Sequence, residues 1–124
     1  MIKVVCALIK KDGKVLLTRR KTGDESVIGK WEFPGGKVET DETDKDAIER
    51  EIKEELEINV RAKMWIAKSI YKYPNKTVDL NLYECDYLAG TIKLHDHIEY
   101  AWVNTSELLD YDLANADIPL IKYL

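Results

Sequence analysis

Three glutamates offer the most definite chemistry in this chain. Glu51, Glu54 and Glu55 stand at i, i+3 and i+4 within Arg50-Glu51-Ile52-Lys53-Glu54-Glu55-Leu56. At about 100° per residue, a helix gathers them into an arc of roughly 100°, beside an apolar stripe rather than opposite it. Like charges so placed repel by about a few tenths of a kcal/mol per pair, so a counter-charge is needed. Carboxylate oxygens are hard ligands that suit Mg2+ or Mn2+. The competing reading is a solvated helix face, with Lys45, Arg50 and Lys53 as ordinary ion-pair partners. The residues just upstream favour the metal. Gly35-Gly36 brings bare backbone toward the helix start, where the Gly36 carbonyl can join the carboxylates, and Glu42 adds another oxygen.

The elements that position these groups follow from local pattern. Residues 2–10 read as a strand, Asp12-Gly13 as a hairpin turn, and 15–20 as the returning strand. Residues 21–30 read as a loop, and Pro34-Gly35-Gly36 as a stop to regular structure. The helix spans 43–56: Thr43 or Asp41 caps it, and Ile48, Ile52 and Leu56 form its apolar stripe. Strands follow at 59–72, 78–88 and 98–103, then a short helix capped by Thr105 and a final helix at 116–121 with Pro119 in its first turn. Strands around a middle helix, with more helix near the end, give an α/β or α+β sandwich.

Composition narrows the function classes. The 124 residues are 45% hydrophobic and 34% charged, which suits one packed domain spanning 1–124. No apolar run approaches the roughly 20 residues of a membrane span, and the N-terminal stretch reads as a strand rather than a signal peptide. A net charge of −4 leaves no basic footprint for duplex nucleic acid. It also means that a polyphosphate ligand needs local cations. Cys6 and Cys85 sit in apolar strand-like stretches and read as buried free thiols, consistent with a cytoplasmic location.

The spacing around the helix resembles a known family. From Gly36 the order is five residues, Glu42, seven residues, Arg50-Glu51-Ile52, one residue, Glu54-Glu55, one residue, then Glu57-Ile58. This resembles the 23-residue Nudix box of the Nudix hydrolases, with Glu57 standing where the family usually has Gly. Leu17-Thr18-Arg19-Arg20, the stretch from Gly29 to Glu39, and Leu113-Ala114-Asn115-Ala116-Asp117-Ile118-Pro119-Leu120-Ile121 look like the MutT-type branch. The resemblance implies a Nudix α/β/α sandwich with a mixed sheet and a central catalytic helix. Two departures stand out. Glu57 either adopts the left-handed conformation, at a cost on the order of 1 kcal/mol, or the helix runs on to Asn59. Asp41 takes a place that is often Gly.

The resemblance also implies the roles. Glu51, Glu54 and Glu55 hold Mg2+ (or Mn2+) with the Gly36 carbonyl, and Glu54 or Glu55 doubles as the base that orients water. Arg50 fixes the carboxylates. Glu99 is an additional ligand or general base, or else a surface residue of its strand. Arg20 and Lys37 contact phosphate or base, or stay solvated. Phe33 lines a base pocket or packs in the core, and Tyr71 and Tyr73 share one strand face where a base could stack. Asn115 and Asp117 read the base edge, Asp117 alternatively capping the last helix. His95 and His97 read as surface residues.

The activity so implied is Mg-dependent hydrolysis of a nucleoside triphosphate to monophosphate and pyrophosphate by a monomer or homodimer. Oxidised guanine or cytosine nucleotides are the expected substrates. ADP-ribose, a dinucleotide polyphosphate, capped RNA, or nucleotide sensing without turnover are the alternatives.

Overall fold

The computed structural model describes all of residues 1–124. Strand β1 (Ile2–Lys11) is the centre of the sheet. Its run Val4 to Ile9 is apolar without alternation because both faces are covered. Val5, Ala7 and Ile9 pack toward the helix layer, and Cys6 and Leu8 toward the opposite core. Asp12 and Gly13, both at positive φ, make the two-residue hairpin turn into β2 (Lys14–Arg20).

Five strands run in the order β3-β2-β1-β6-β5, where β3 is Trp31–Glu32, β5 is Asn59–Tyr73 and β6 is Lys76–Ala89. Two more strands attach to this path. β4 (Gly35–Lys37) pairs with β1, and β7 (His97–Val103) pairs with β2. Only β1 and β6 run parallel, so the sheet is mixed. β1 bonds to β2 only near the hairpin, at Lys10↔Val15 and Lys11↔Lys14. Further back it bonds to β4 instead, from Val4↔Lys37 to Cys6↔Gly35. The sheet therefore splits beside β1, and the split faces the helix.

Helix α1 (Asp44–Leu56) covers one face. The Thr43 hydroxyl accepts from the Asp46 N–H at 3.1 Å, and Asp44 and Asp46 lie in the first turn, where the helix dipole favours them. Ala47, Ile48, Ile52 and Leu56 are fully buried against β1 and β5. Burying each of the three larger side chains contributes roughly 1.5–3 kcal/mol. The helix ends at Leu56 rather than running on to Asn59. Glu57 takes the left-handed conformation (φ 57°) and donates its N–H to the Lys53 carbonyl. Its carboxylate meets His95 across the surface.

The other face is covered less regularly, by the 21–30 segment and by two short 3-10 helices, Thr105–Asp110 and Ile118–Tyr123. Both expected C-terminal helices are thus short 3-10 segments of six residues, and Asn104 rather than Thr105 occupies the first cap position. Gly35 and Gly36 also differ from expectation, since they lie inside a strand instead of breaking one. A Cβ on Gly35 would fall 2.0 Å from the Val5 carbonyl oxygen, so only glycine lets β4 approach β1 this closely.

Candidate active site

Glu51 and Glu55 project from α1 into the split in the sheet. They line one end of a cavity of about 590 Å3 with Gly36, Lys37 and Glu39. That size lies within the usual range for small-ligand sites. The backbone of β4 passes directly over Glu51: a Cβ on Gly36 would sit 2.3 Å from the Glu51 carboxyl carbon. Glu55 is largely buried, and its Oε2 has no hydrogen-bond partner within the protein. Burial, the neighbouring Glu51 and then Glu32 push its carboxyl up to about 8. Glu54, by contrast, is exposed and turns toward Arg50.

Arg50 organises this end. It donates to both oxygens of Glu42 (2.6 and 2.9 Å), to Glu51 (3.0 Å), to Glu54 (3.2 Å) and to the Lys37 carbonyl (3.1 Å). These bonds hold the Glu42 carboxyl down at about 2 and raise the guanidinium further above its ordinary value. Glu42 thereby ties the segment before α1 to the middle of the helix. Arg50 thus contacts three carboxylates by hydrogen bonds, Glu42, Glu51 and Glu54.

The far end of the cavity is apolar on its walls, with Val4, Cys6, Phe33 and Leu80, and carries Asp117. Asp117 does not cap the last turn. Its Oδ2 instead accepts the Phe33 N–H at 2.9 Å, which pins the C-terminal segment over β3 and β4. Burial, and secondly Glu32, raise the Asp117 carboxyl well above the usual range. Phe33 both lines the cavity and belongs to the core. Arg20 reaches the cavity and pairs with Glu32 at 3.2 Å. Tyr73 is buried beside a smaller adjoining space, with its hydroxyl accepting the Ala116 N–H.

Several expected residues lie elsewhere. Asn115 is exposed and donates to the Tyr71 hydroxyl, away from the cavity wall. Glu99 is exposed and pairs with Arg19 at 3.2 Å. His97, expected on the surface, is buried and lies near Glu55 together with Asp96. Nothing in the sequence singles out Lys76, which follows a turn and brings a third cation to the cavity after Arg20 and Lys37. Nor does the sequence single out Glu32, whose local signal is only its place next to Phe33-Pro34-Gly35-Gly36.

In this conformation no three acidic, histidine or cysteine side chains converge to metal-liganding distance. The donor set nonetheless suits a hard divalent cation. Two carboxylates, Glu51 and Glu55, lie close enough for Glu51 to raise the Glu55 carboxyl, and Glu55 carries a buried, unpartnered oxygen. A bound cation removes both the repulsion and the desolvation cost, and Glu54 can join once it leaves Arg50.

A mixed sheet split by a glycine strand, with an acidic helix at the split and a cavity beyond it, is an arrangement suited to a divalent cation and an anionic ligand. A family model for the NUDIX domain matches residues 4–123. A CTP pyrophosphohydrolase of Escherichia coli is 38% identical over 122 residues, 98% of this chain and 90% of that protein. An 8-oxo-dGTP diphosphatase of the same organism is 29% identical over 79 residues, 64% of this chain and 61% of that protein. The solution structure of the E. coli ORF135 protein superposes with a TM-score of 0.87 at 37% identity, covering 99% of this chain and 87% of that one. The chain belongs to the Nudix hydrolase family, in its MutT-type branch. Enzymes of this family generally use divalent metal ions. No helix here is long and apolar enough to cross a membrane.

Proposed function

We propose that the protein hydrolyses nucleoside triphosphates to monophosphate and pyrophosphate with Mg2+, preferring bases that present N–H donors to Asp117. The observation that carries this reading is the single cavity joining Glu51 and Glu55 at one end to Asp117 at the other. Glu51, Glu55 and the Gly36 carbonyl are assigned to the metal, with Glu54 added from Arg50. A divalent cation held there neutralises polyphosphate charge and acidifies a bound water. Lys37, Arg20 and Lys76 oppose the phosphate charge that a −4 protein would otherwise repel. Glu54 or Glu55 takes the proton of the attacking water, whose oxygen bonds to phosphorus as the bridging P–O bond breaks and pyrophosphate leaves. The extra carboxylate expected at Glu99 is better supplied by Asp96, which is close enough to Glu55 to help raise its carboxyl.

At the other end, Asp117 Oδ2 is occupied by the Phe33 N–H. That leaves Oδ1 to face a base, and an N–H donated by a bound base favours the carboxylate form that burial alone disfavours. Cytosine offers its exocyclic amino group, and an oxidised guanine its ring N–H groups; uracil presents a carbonyl there and is repelled. The buried free thiols of Cys6 and Cys85 fit a reducing, cytoplasmic setting. The test is pyrophosphate release from CTP, dCTP, 5-methyl-dCTP, 8-oxo-dGTP and UTP. Amino-bearing or oxidised bases should exceed UTP in kcat/KM by about 10- to 100-fold, and Asp117→Ala should erase that margin. Absence of pyrophosphate from every nucleotide refutes the reading.

A further inference from the structure

Beside Glu55, sharing Arg20, Glu32 and Gly35 with the larger cavity, lies a second space of about 150 Å3. Its walls are Arg20, Thr22, Glu32, Gly35, Glu55, Asp96 and His97, with no hydrophobic side chain among them. The protein has two buried side-chain polar atoms without a hydrogen-bond partner, Glu55 Oε2 and His97 Nδ1. Both belong to residues of this one wall. An unpaired buried acceptor or donor costs about 1–3 kcal/mol, so two such groups on residues that line one polar space call for a partner. A space this large and this polar accommodates water, which needs roughly 10–15 Å3 and two to four polar neighbours.

The local fold places His97 here by an irregularity. In β7 the register against β2 runs Arg19↔Glu99 and then Arg20↔His97, so Ile98 is an additional residue, a β-bulge. In a regular strand Glu99 and His97 would share a face. The bulge instead leaves Glu99 beside half-buried Arg19 and sets His97 opposite Arg20, which lines the cavity. Only 9% of the His97 surface is exposed.

We propose that this space is a structural water site and that His97 is a positioning residue. One or two ordered waters bridge His97 Nδ1 to Glu55 Oε2 and fix the orientation of the Glu55 carboxylate toward the metal. His97 touches neither substrate nor the reacting atoms. The inference rests on the assignment of Glu55 as a metal-holding residue, and it adds the support that this carboxylate lacks from protein atoms. Groups that orient metal ligands typically matter by about 10- to 100-fold in metal affinity or activity.

The experiment compares His97→Asn, which can keep a polar atom near Nδ1, with His97→Leu, which cannot. Mn2+ affinity is measured by electron paramagnetic resonance without nucleotide, and kcat and KM on CTP with Mg2+. The expected result is that His97→Leu weakens Mn2+ binding and lowers kcat by about 10-fold or more. Nucleotide KM stays within about two-fold, and His97→Asn recovers most of both losses. Unchanged Mn2+ affinity in His97→Leu, or equal losses in the Asn and Leu variants, overturns the proposal. Glu55→Gln separates the two levels. If it leaves Mn2+ binding and turnover intact, the metal assignment itself fails; if it abolishes both while His97→Leu is silent, only the water bridge fails. Should His97→Leu not fold, a high-resolution crystal structure of the wild-type protein decides, because a water within hydrogen-bond distance of both atoms is required and its absence there overturns the bridge.

Discussion

Glu55 should make the metal-free protein unstable in a pH-dependent way, and replacing it should stabilise the fold while removing the activity. In the native protein its carboxyl titrates at about 8, against an ordinary value of 4.5, first because it is buried and second because Glu51 is beside it. A carboxyl raised by folding binds its proton more tightly in the native state than in the unfolded one. Below pH 4.5 it is protonated in both states and contributes its full relative stability. That stability drains away as pH rises from 4.5 and is gone above about 8. At about 1.4 kcal/mol per pH unit, the ceiling on this loss is roughly 5 kcal/mol. The cavity keeps Glu55 in contact with solvent, and screening there reduces the figure to about 2–3 kcal/mol.

Glu55→Gln has the same shape, carries no charge at any pH and can donate to Glu51. With EDTA present, its Tm should match the wild type within about 2 °C at pH 5 and exceed it by about 10 °C at pH 8, using ~2.1 cal/mol/K per residue for the unfolding entropy. Saturating Mg2+ should close most of that gap at pH 8 by raising the wild type alone. The assay is thermal unfolding followed by circular dichroism across pH 5–9, alongside pyrophosphate release. A pH-independent difference, or a Gln variant no more stable than wild type at pH 8, would show that Glu55 bears no buried charge and would remove the physical basis for placing a cation there.

Two further outcomes follow from backbone geometry. Gly36→Ala puts a methyl group 2.3 Å from the Glu51 carboxyl carbon; displacing that side chain should cost about 1–3 kcal/mol of stability and lower kcat by about 100-fold, with secondary structure by circular dichroism unchanged. Glu57→Gly relieves the left-handed strain at the end of α1, losing only an exposed contact with His95; a gain of about 1 kcal/mol, or roughly 4 °C in Tm, is expected, with CTP turnover unaltered.

The acidic helix was legible because its signals are local. Thr43, the Ile48-Ile52-Leu56 stripe and the glutamate spacing all act within a few turns, and the helix observed, Asp44–Leu56, differs by one residue at its start. Hairpin chemistry at Asp12-Gly13 and the strand over residues 2–10 were local too. The C-terminal segment was not. Ile118-Pro119 reads as a helix start, yet Asp117 gives its side chain to the distant Phe33 N–H, and the last residues form only a short 3-10 segment. Glycines were legible as conformational freedom but not as clearance. What requires Gly35 and Gly36 is the nearness of β1 and Glu51, residues far along the chain.

The exchange of Glu99 for His97 is the clearest case of information absent from local sequence. Period-two alternation puts both on one face, and nothing in His95-Asp96-His97-Ile98-Glu99 marks the position of an extra residue. The bulge at Ile98 lies where β2 pairs with β7, beyond the short stretch over which β2 pairs with β1, and a bulge increases local twist. The split beside β1 admits α1's glutamates to the cavity. Beside that split, His97 and Asp96 line the space next to Glu55, and Glu99 pairs with Arg19 instead. Reading a carboxylate's role from its place in a strand is safe only where that strand pairs regularly, and strands bordering a cavity are where regular pairing is most often given up.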